Sequence, residues 1–443
     1  MAVWSIVEFA QLGEDFMLAA EHYHPAKLRT LNRLSALLGR TVGELFEEIQ
    51  DTVRPGTVEG PARLYDLTDA LGSLLRPGTD ITEADFLSNR KRVQMGDIIV
   101  SRLRSYLKEV VVVPALSHIL LVSPEFIVLR LRPESGLTSG AWLLPYLLSE
   151  PVQTILQWSQ TGSAHPRFNS DTLLAIRIPE TVIQLADDLS ESVEAAHQTV
   201  ALSSVLYNEA EALLLHELGL DQLQLPTAKT YTAPFAEVMD SGRMDAEFFR
   251  PQHRFILDHL RGKFDGCPLG DLGLVTKGKT PAEYVETGVP VVRSGDLSDI
   301  DATADFLRAN PADIRFELQP GDILISSIGF GSIGKVQVFN STERHTTVNE
   351  VTVVRQNVLN PYYLRTFLTS PLGQIQIESW VTGATGQLHL NSKDVMKVVV
   401  PMLPMAVQAQ FEALYVEAQG LKLEAVELLA AAQRRVEEFI GTV

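Results

Sequence analysis

Residues 405–440 carry an apolar repeat that constrains what the rest of the chain can do. Val407, Phe411, Leu414, Ala418, Leu421, Ala425, Leu428 and Ala432 fall at alternating steps of four and three, and Val436 follows four further on. That period keeps one helix stripe facing a partner helix through successive turns. No Pro interrupts the run, and Gly420 costs only about 1 kcal/mol relative to Ala. At about 1.5 Å per residue the helix reaches roughly 50 Å, too long and exposed to stand without a mate. Ala186, Leu189, Val193, Ala196, Val200, Ser203, Tyr207, Ala210 and Leu214 repeat the same steps and supply one. Two long helices, each closing half of the chain, point to two globular units joined by a coiled-coil spacer.

Internal similarity points the same way. Residues 9–12 and 20–25 match 235–238 and 246–251, and Gly96-Asp97-Ile98-Ile99-Val100-Ser101 matches Gly321-Asp322-Ile323-Leu324-Ile325-Ser326. Thr161-Gly162 with Asn169-Ser170 matches Thr382-Gly383 with Asn391-Ser392, and Ile176 to Pro179 matches Val398 to Pro401. The order never breaks and the offset stays near 220–227 residues, so the chain reads as a tandem duplication. Residues 97–101 and 322–326 are apolar runs behind a Gly-Asp turn and read as buried strands. Residues 110–113, 126–131, 336–339 and 351–354 read as further β-branched strands. Residues 142–148 and 362–368 read as short helices stopping before Pro151 and Pro371. The expected fold class is therefore mixed α/β, with a linker at residues 221–233.

With 443 residues the chain can form two to three domains with proper cores. Cys267 is the only cysteine, which excludes a disulfide framework and a Cys-based metal site. No apolar run reaches the ~18 residues of a membrane helix. The first residues lack the basic flank and apolar core of a signal peptide, so a cytoplasmic protein is expected. A net charge of −18 argues against nucleic acid if spread evenly, but it is not. Residues 86–180 hold ten Lys/Arg against seven Asp/Glu, whereas residues 181–220 hold seven acids and no Lys or Arg. Residues 267–401 are mildly acidic, eleven basic to fourteen acidic.

Gly329-Phe330-Gly331-Ser332-Ile333-Gly334-Lys335 matches the start of a phosphate-binding loop. The position that should hold Mg²⁺ with a hydroxyl is Val336, and a strand follows where a helix should point its N-terminus at phosphates. It reads as a strand-to-strand turn, and a nucleotide-hydrolysing enzyme rests on this segment alone. The histidines show no metal-ligand spacing, and no nucleophile elbow or Cys–His pairing is present. No metal site and no catalytic residue are expected.

Recognition fits the polar loops better. Arg90-Lys91-Arg92, Arg102, Arg104 and Lys108 crowd one predicted strand, with Arg167 in a later loop, a pattern that allows a phosphate-facing surface. In the second copy Lys277 and Lys279 flank a turn, and Gln387 and His389 are side chains of the kind that read base edges, Gln suiting adenine. Phe330 and Trp380 read as core. Solvated surface charge is the plain alternative for any one of these cations.

Gly321-Asp322-Ile323-Leu324-Ile325-Ser326, the stretch from Gly288 through Pro290 and Arg293 to Asp296, Asn360-Pro361-Tyr362-Tyr363-Leu364 and Thr382-Gly383-Ala384-Thr385-Gly386-Gln387 resemble the specificity subunit of type I restriction–modification systems. Pro401 to Pro404 before the last helix, with Gln408 and Gln410, is similar too. The resemblance covers nearly the whole chain and is stronger in the second copy. It implies two tandem target-recognition-type α/β domains, each reading half of a split double-stranded DNA site, and two helices packed as an antiparallel coiled coil. It places them at residues 1–180 and 267–401, with spacer helices at 181–220 and 402–443 and a linker and repeat start at 221–266. The implied subunit is non-catalytic and docks methyltransferase subunits, expected to be two, which carry the S-adenosylmethionine; a motor/nuclease restriction subunit is a further partner. Arg102, Arg104, Lys108 and Arg167 would then serve the first half-site. Lys277, Lys279, Arg293, Lys335, Gln387 and His389 would serve the second. Pro166-Arg167 stands where the second copy has its Gly-Gln pair, and the first copy lacks the Lys-Gly-Lys-Thr-Pro turn. A protein-only scaffold of a phage-defence complex, with this architecture but no sequence reading, is the alternative.

Overall fold

A computed structural model describes residues 4–7, 19–58, 60–70, 73–76, 78–81, 88–116, 118–162, 165–221, 224–226, 228, 230–298, 300, 306–329, 332–383 and 388–441. The chain is mixed α/β and divides into two compact units, residues 1–200 with 424–443 and residues 201–423. The long helices run Ala186–Glu217 and Met405–Gly441, and each contributes one part to each unit.

The first unit is built on a four-stranded antiparallel sheet in the order Phe46–Glu48, Phe126–Leu131, Ile98–Ser101, Val110–Val112. Alternate residues of a strand point to opposite faces, and both faces are covered. Ile98, Val100, Val110, Val112, Ile127 and Leu129 join a core with Trp142, Tyr146 and Ile155. Ile99, Val111, Phe126 and Val128 join a second core with Tyr65, Leu120 and Val122. Burial on both sides is why these runs read as continuously apolar rather than alternating. The second layer is a five-stranded sheet, Thr52–Val53, Arg90–Val93, Ile119–Val122, Ala62–Tyr65, Thr79–Ile81, with one parallel pair between Ala62–Tyr65 and Ile119–Val122.

The second unit has the same kind of layering. Gly273–Lys277, Val351–Gln356, Ile323–Ser326 and Val336–Val338 form an antiparallel sheet in that order. Ile323, Ile325, Val336, Val338 and Val354 face a core with Tyr363 and Phe367, while Leu324, Val351 and Val353 face one with Val291 and Val292. The Gly-Asp turn before each central strand shows why it needs both residues. Gly96 and Gly321 sit at φ +84° and +89°, where a Cβ is disfavoured. Asp97 and Asp322 are each 1% exposed and accept a forked pair of bonds from Arg130 and Arg355 at 2.7–2.8 Å.

The expected helices stop where predicted, but a second helix follows each. Leu143–Leu148 gives way to Glu150–Gln157, and Pro361–Thr369 to Pro371–Trp380. Pro151 and Pro371 lie in first turns, where no backbone N–H is needed. The short strands of the outer sheets were not anticipated either.

Along the first long helix, Leu189, Val193 and Ala196 pack with Ala425, Leu429, Ala432 and Val436 inside the first unit, where Asp188 meets Arg435 at 2.7 Å. Inside the second unit, Ser203 donates to the Ala418 carbonyl at 2.8 Å, and the Tyr207 and Tyr415 rings lie 5.9 Å apart. Ala210, Leu214 and Leu218 share a core with Phe411 there. Within the second unit, partners on the second helix descend as positions on the first ascend.

Candidate nucleic-acid interface

In the first unit the chain leaves the central strand at Ser101 and turns through residues 102–109 before re-entering the sheet. Arg104 and Lys108, both exposed, lie in the left-handed region at φ +51° and +53°. Each such residue costs about 1 kcal/mol or more when it is not Gly. The turn is bound to a second loop: Arg104 donates its N–H to the Pro166 carbonyl at 3.1 Å, and Phe168 donates to that of Arg102 at 3.1 Å. Arg167 also bridges Leu103 and Thr161 in the backbone.

Glu125 stands at the centre of this cluster, unanticipated from sequence. It accepts two bonds from Arg167, Nε to Oε2 and Nη2 to Oε1, both 2.8 Å, and a third from Arg102 Nε at 3.1 Å. Arg167, and with it Arg102, holds the carboxyl well below its usual range, down to about 2. Glu109 is different. It is 4% exposed, burial pushes its carboxyl upward, and Oε2 has no hydrogen-bond partner among the described residues. Arg102 and Arg167 are therefore brought together on one firmly ionised carboxylate, with Arg104 and Lys108 exposed on the adjoining turn. The 90–92 run is not part of that surplus. Arg90 lies 3.7 Å from Asp66, Lys91 3.8 Å from Glu48 and Arg92 4.0 Å from Asp51.

The second unit repeats the frame with other side chains. Ser101 N–H donates to Glu109 O, and Ser326 N–H to Lys335 O. Arg102 N–H donates to Glu125 O, and Ser327 N–H to Glu350 O. Phe168 N–H donates to Arg102 O, and Leu390 N–H to Ser327 O. The bridges of Arg167 to Leu103 and Thr161 recur as His389 to Ile328 and Thr382. Position by position, Arg102 corresponds to Ser327, Arg104 to Gly329, Lys108 to Gly334, Glu109 to Lys335 and Arg167 to His389. The strained turn of the first unit is thus a glycine turn in the second, with Gly329 at φ +110° and Gly334 at +82°. Val336–Val338 follows it as a strand.

Lys277, Lys279 and Arg293 lie around residues 347–351. Gly278 N–H donates to the Val351 carbonyl and that of Lys279 to the Thr347 carbonyl, which seats the exposed Lys279 and the neighbouring Lys277 there. Arg293 is exposed but paired with Asp296 at 3.3 Å, and the adjacent Ser294 donates to the Glu350 carbonyl. Lys335 donates to Ser298 Oγ at 3.0 Å, and the Ser298 carbonyl accepts from Lys422. Gln387 and Phe330 lie outside the described residues, and Trp380 is buried.

Among the described residues no group of His, Cys, Asp and Glu could hold a metal ion, and no helix is long and apolar enough to cross a membrane. No protein-family model and no curated protein matches the chain. The solved structures similar to it include three that each align over 90% of its length. One is a chain of a type I R-M system studied for complex assembly and conformational transition (18% identity, 95% of that chain, TM-score 0.30). Another is the HsdS subunit from Thermoanaerobacter tengcongensis (16% identity, 94% of that chain, TM-score 0.31). The third is the S subunit of a type I restriction–modification system from M. genitalium (16% identity, 94% of that chain, TM-score 0.39).

Proposed function

We propose that this chain is a non-catalytic DNA-recognition subunit of a type I restriction–modification complex, reading a bipartite double-stranded site with one α/β unit per half. One observation carries the reading. The two units keep the same backbone hydrogen bonds around the turn after the central strand and change its residues: exposed Arg104 with half-buried Arg102 and Arg167 in one, buried Ser327 with half-buried Gly329 and His389 in the other. A constant frame with different side chains is what two readers of different half-sites need. The long helices, paired as an antiparallel coiled coil, would set the distance between half-sites. They would also dock two methyltransferase subunits, which carry S-adenosylmethionine, and a motor/nuclease subunit could join. The complex would work in the cytoplasm.

The pairing of Arg102 and Arg167 with Glu125, and a net charge of −18, favour the second reading, a protein-only scaffold subunit of a phage-defence complex. Titrating duplex DNA against the chain with its methyltransferase partners at several salt concentrations separates the two. A recognition subunit binds with an affinity that falls linearly in log–log form as salt rises, by about 0.9 per phosphate neutralised. A scaffold shows no salt-dependent DNA affinity, and that result would reject the proposal.

A further inference from the structure

Arg102, Arg167 and Glu125 form a triad in which the three members have unequal freedom. Arg167 spends Nε and Nη2 on the carboxylate and Nη1 on the His165 carbonyl at 3.2 Å. Its guanidinium is pinned on every nitrogen. Arg102 donates only Nε to Glu125, and its Nη1–Nη2 edge has no partner among the described residues, with 43% of the side chain exposed. The second unit has Ser327 and His389 at these two positions, so the device belongs to the first unit alone.

We infer that Glu125 is a positioning residue: fixed by Arg167, it holds Arg102 by Nε and presents the Nη1–Nη2 edge to the O6/N7 acceptor pair of a guanine in the first half-site. Arg167 is then a strut and Arg102 the reader. This rests on the recognition reading above. Guanine is favoured over phosphate because the ionised carboxylate sits on the same guanidinium. A neutral acceptor edge tolerates that charge, whereas a phosphate anion is repelled by it. Holding the guanidinium by Nε also reduces the rotamer freedom lost when the base arrives.

The test uses the full chain with its methyltransferase partners and a library of randomised duplexes, from which bound sequences are enriched and read. Glu125→Gln keeps shape and removes the charge; Arg167→Lys keeps charge and removes the fork. Both should lose a guanine preference at one base pair of the first half-site, by about 5- to 150-fold, and keep the second half-site. Affinity of Glu125→Gln for unselected duplex should not fall, because one negative charge has left the surface. Should a Glu125→Gln chain lose both half-sites through misfolding, Arg102→Ala decides, since without a donor there the same guanine preference must be lost. First-half-site preference intact in both Glu125→Gln and Arg167→Lys overturns the inference, and so does a uniform loss across all sequences, which would place Arg102 on phosphate. If the wild-type chain enriches no sequence, the recognition reading fails and takes the inference with it; if it enriches a site that the variants leave unchanged, only the inference fails.

Discussion

Lys27 offers a sharp test of the physics inside the first unit. It is the third residue of the Pro25–Ser35 helix, 4% exposed, and burial pulls its ammonium down from 10.5 to about 8. Among the described residues no carboxylate pairs with it. The native state therefore disfavours the charged form, and the fall from 10.5 to about 8 sets an upper bound of about 3 kcal/mol on that cost. Near pH 7 the amine is protonated in both folded and unfolded chains, so the whole penalty is present. As pH rises from 8 towards 10.5 the native state loses its proton first, and stability should climb. Lys27→Met keeps the packed stem and removes the charge. Urea unfolding near pH 7, followed through the tryptophans, should show a gain of about 2–3 kcal/mol that fades to nothing by pH 10.5. Unchanged or lower stability at pH 7 would refute the reasoning, because it would mean that the ammonium has a favourable partner. The third residue of the Pro251–Lys263 helix is His253, equally buried and also lowered by desolvation.

Gly420→Ala should raise the melting temperature, by about 0.5–1 kcal/mol of stability, since a Cβ there meets nothing within 4 Å; a lower melting temperature would contradict this. Arg355→Met leaves the Asp322 carboxylate, 1% exposed, with the Gln319 N–H as its one donor among the described residues. The loss should lie towards the lower end of about 3–5 kcal/mol, because Arg355 is itself 28% exposed; a urea midpoint within error of wild type would reject it. Calorimetric titration with Mg-ATP should show no binding by the isolated chain, and binding that Lys335→Ala abolishes would restore the nucleotide reading.

How much of this was legible in the sequence depended on whether the signal was local. The helix stripe from Ala186 to Leu214 was readable because packing against one partner repeats within the segment itself, and those positions are buried or half-buried. On the second helix the seven-residue repeat of Phe411, Ala418, Ala425 and Ala432 holds, but its second buried row lies one residue further on, at Tyr415 and Leu429 rather than Leu414 and Leu428. The Gly-Asp turns were visible as a repeated hexapeptide, but their arginines, 33 residues away, were not.

Charge fared worst. Counting residues 86–180 gave a basic surplus, yet Arg90, Lys91 and Arg92 find acids at 66, 48 and 51, outside that window. Glu125 lies 42 residues from Arg167 and carries no local mark. Only its recurrence as Glu350, before a matching strand, could have drawn notice. Lys108 and Lys335 are not equivalent: the hydrogen-bond register matches Lys335 to Glu109, so that position has opposite sign in the two units.

Modular reading is tested most directly by mapping the base pairs enriched from randomised duplexes by the full complex, for the wild type, Arg104→Ala and Gln387→Ala in parallel. The predicted result is a two-part site in which Gln387→Ala relaxes only the second half, by about 1–3 kcal/mol at one base pair. Arg104→Ala should alter only the first half or, acting through phosphate, only affinity and salt slope. A Gln387 change that alters both halves together, or variants that alter neither, would contradict modular reading and move the scaffold ahead.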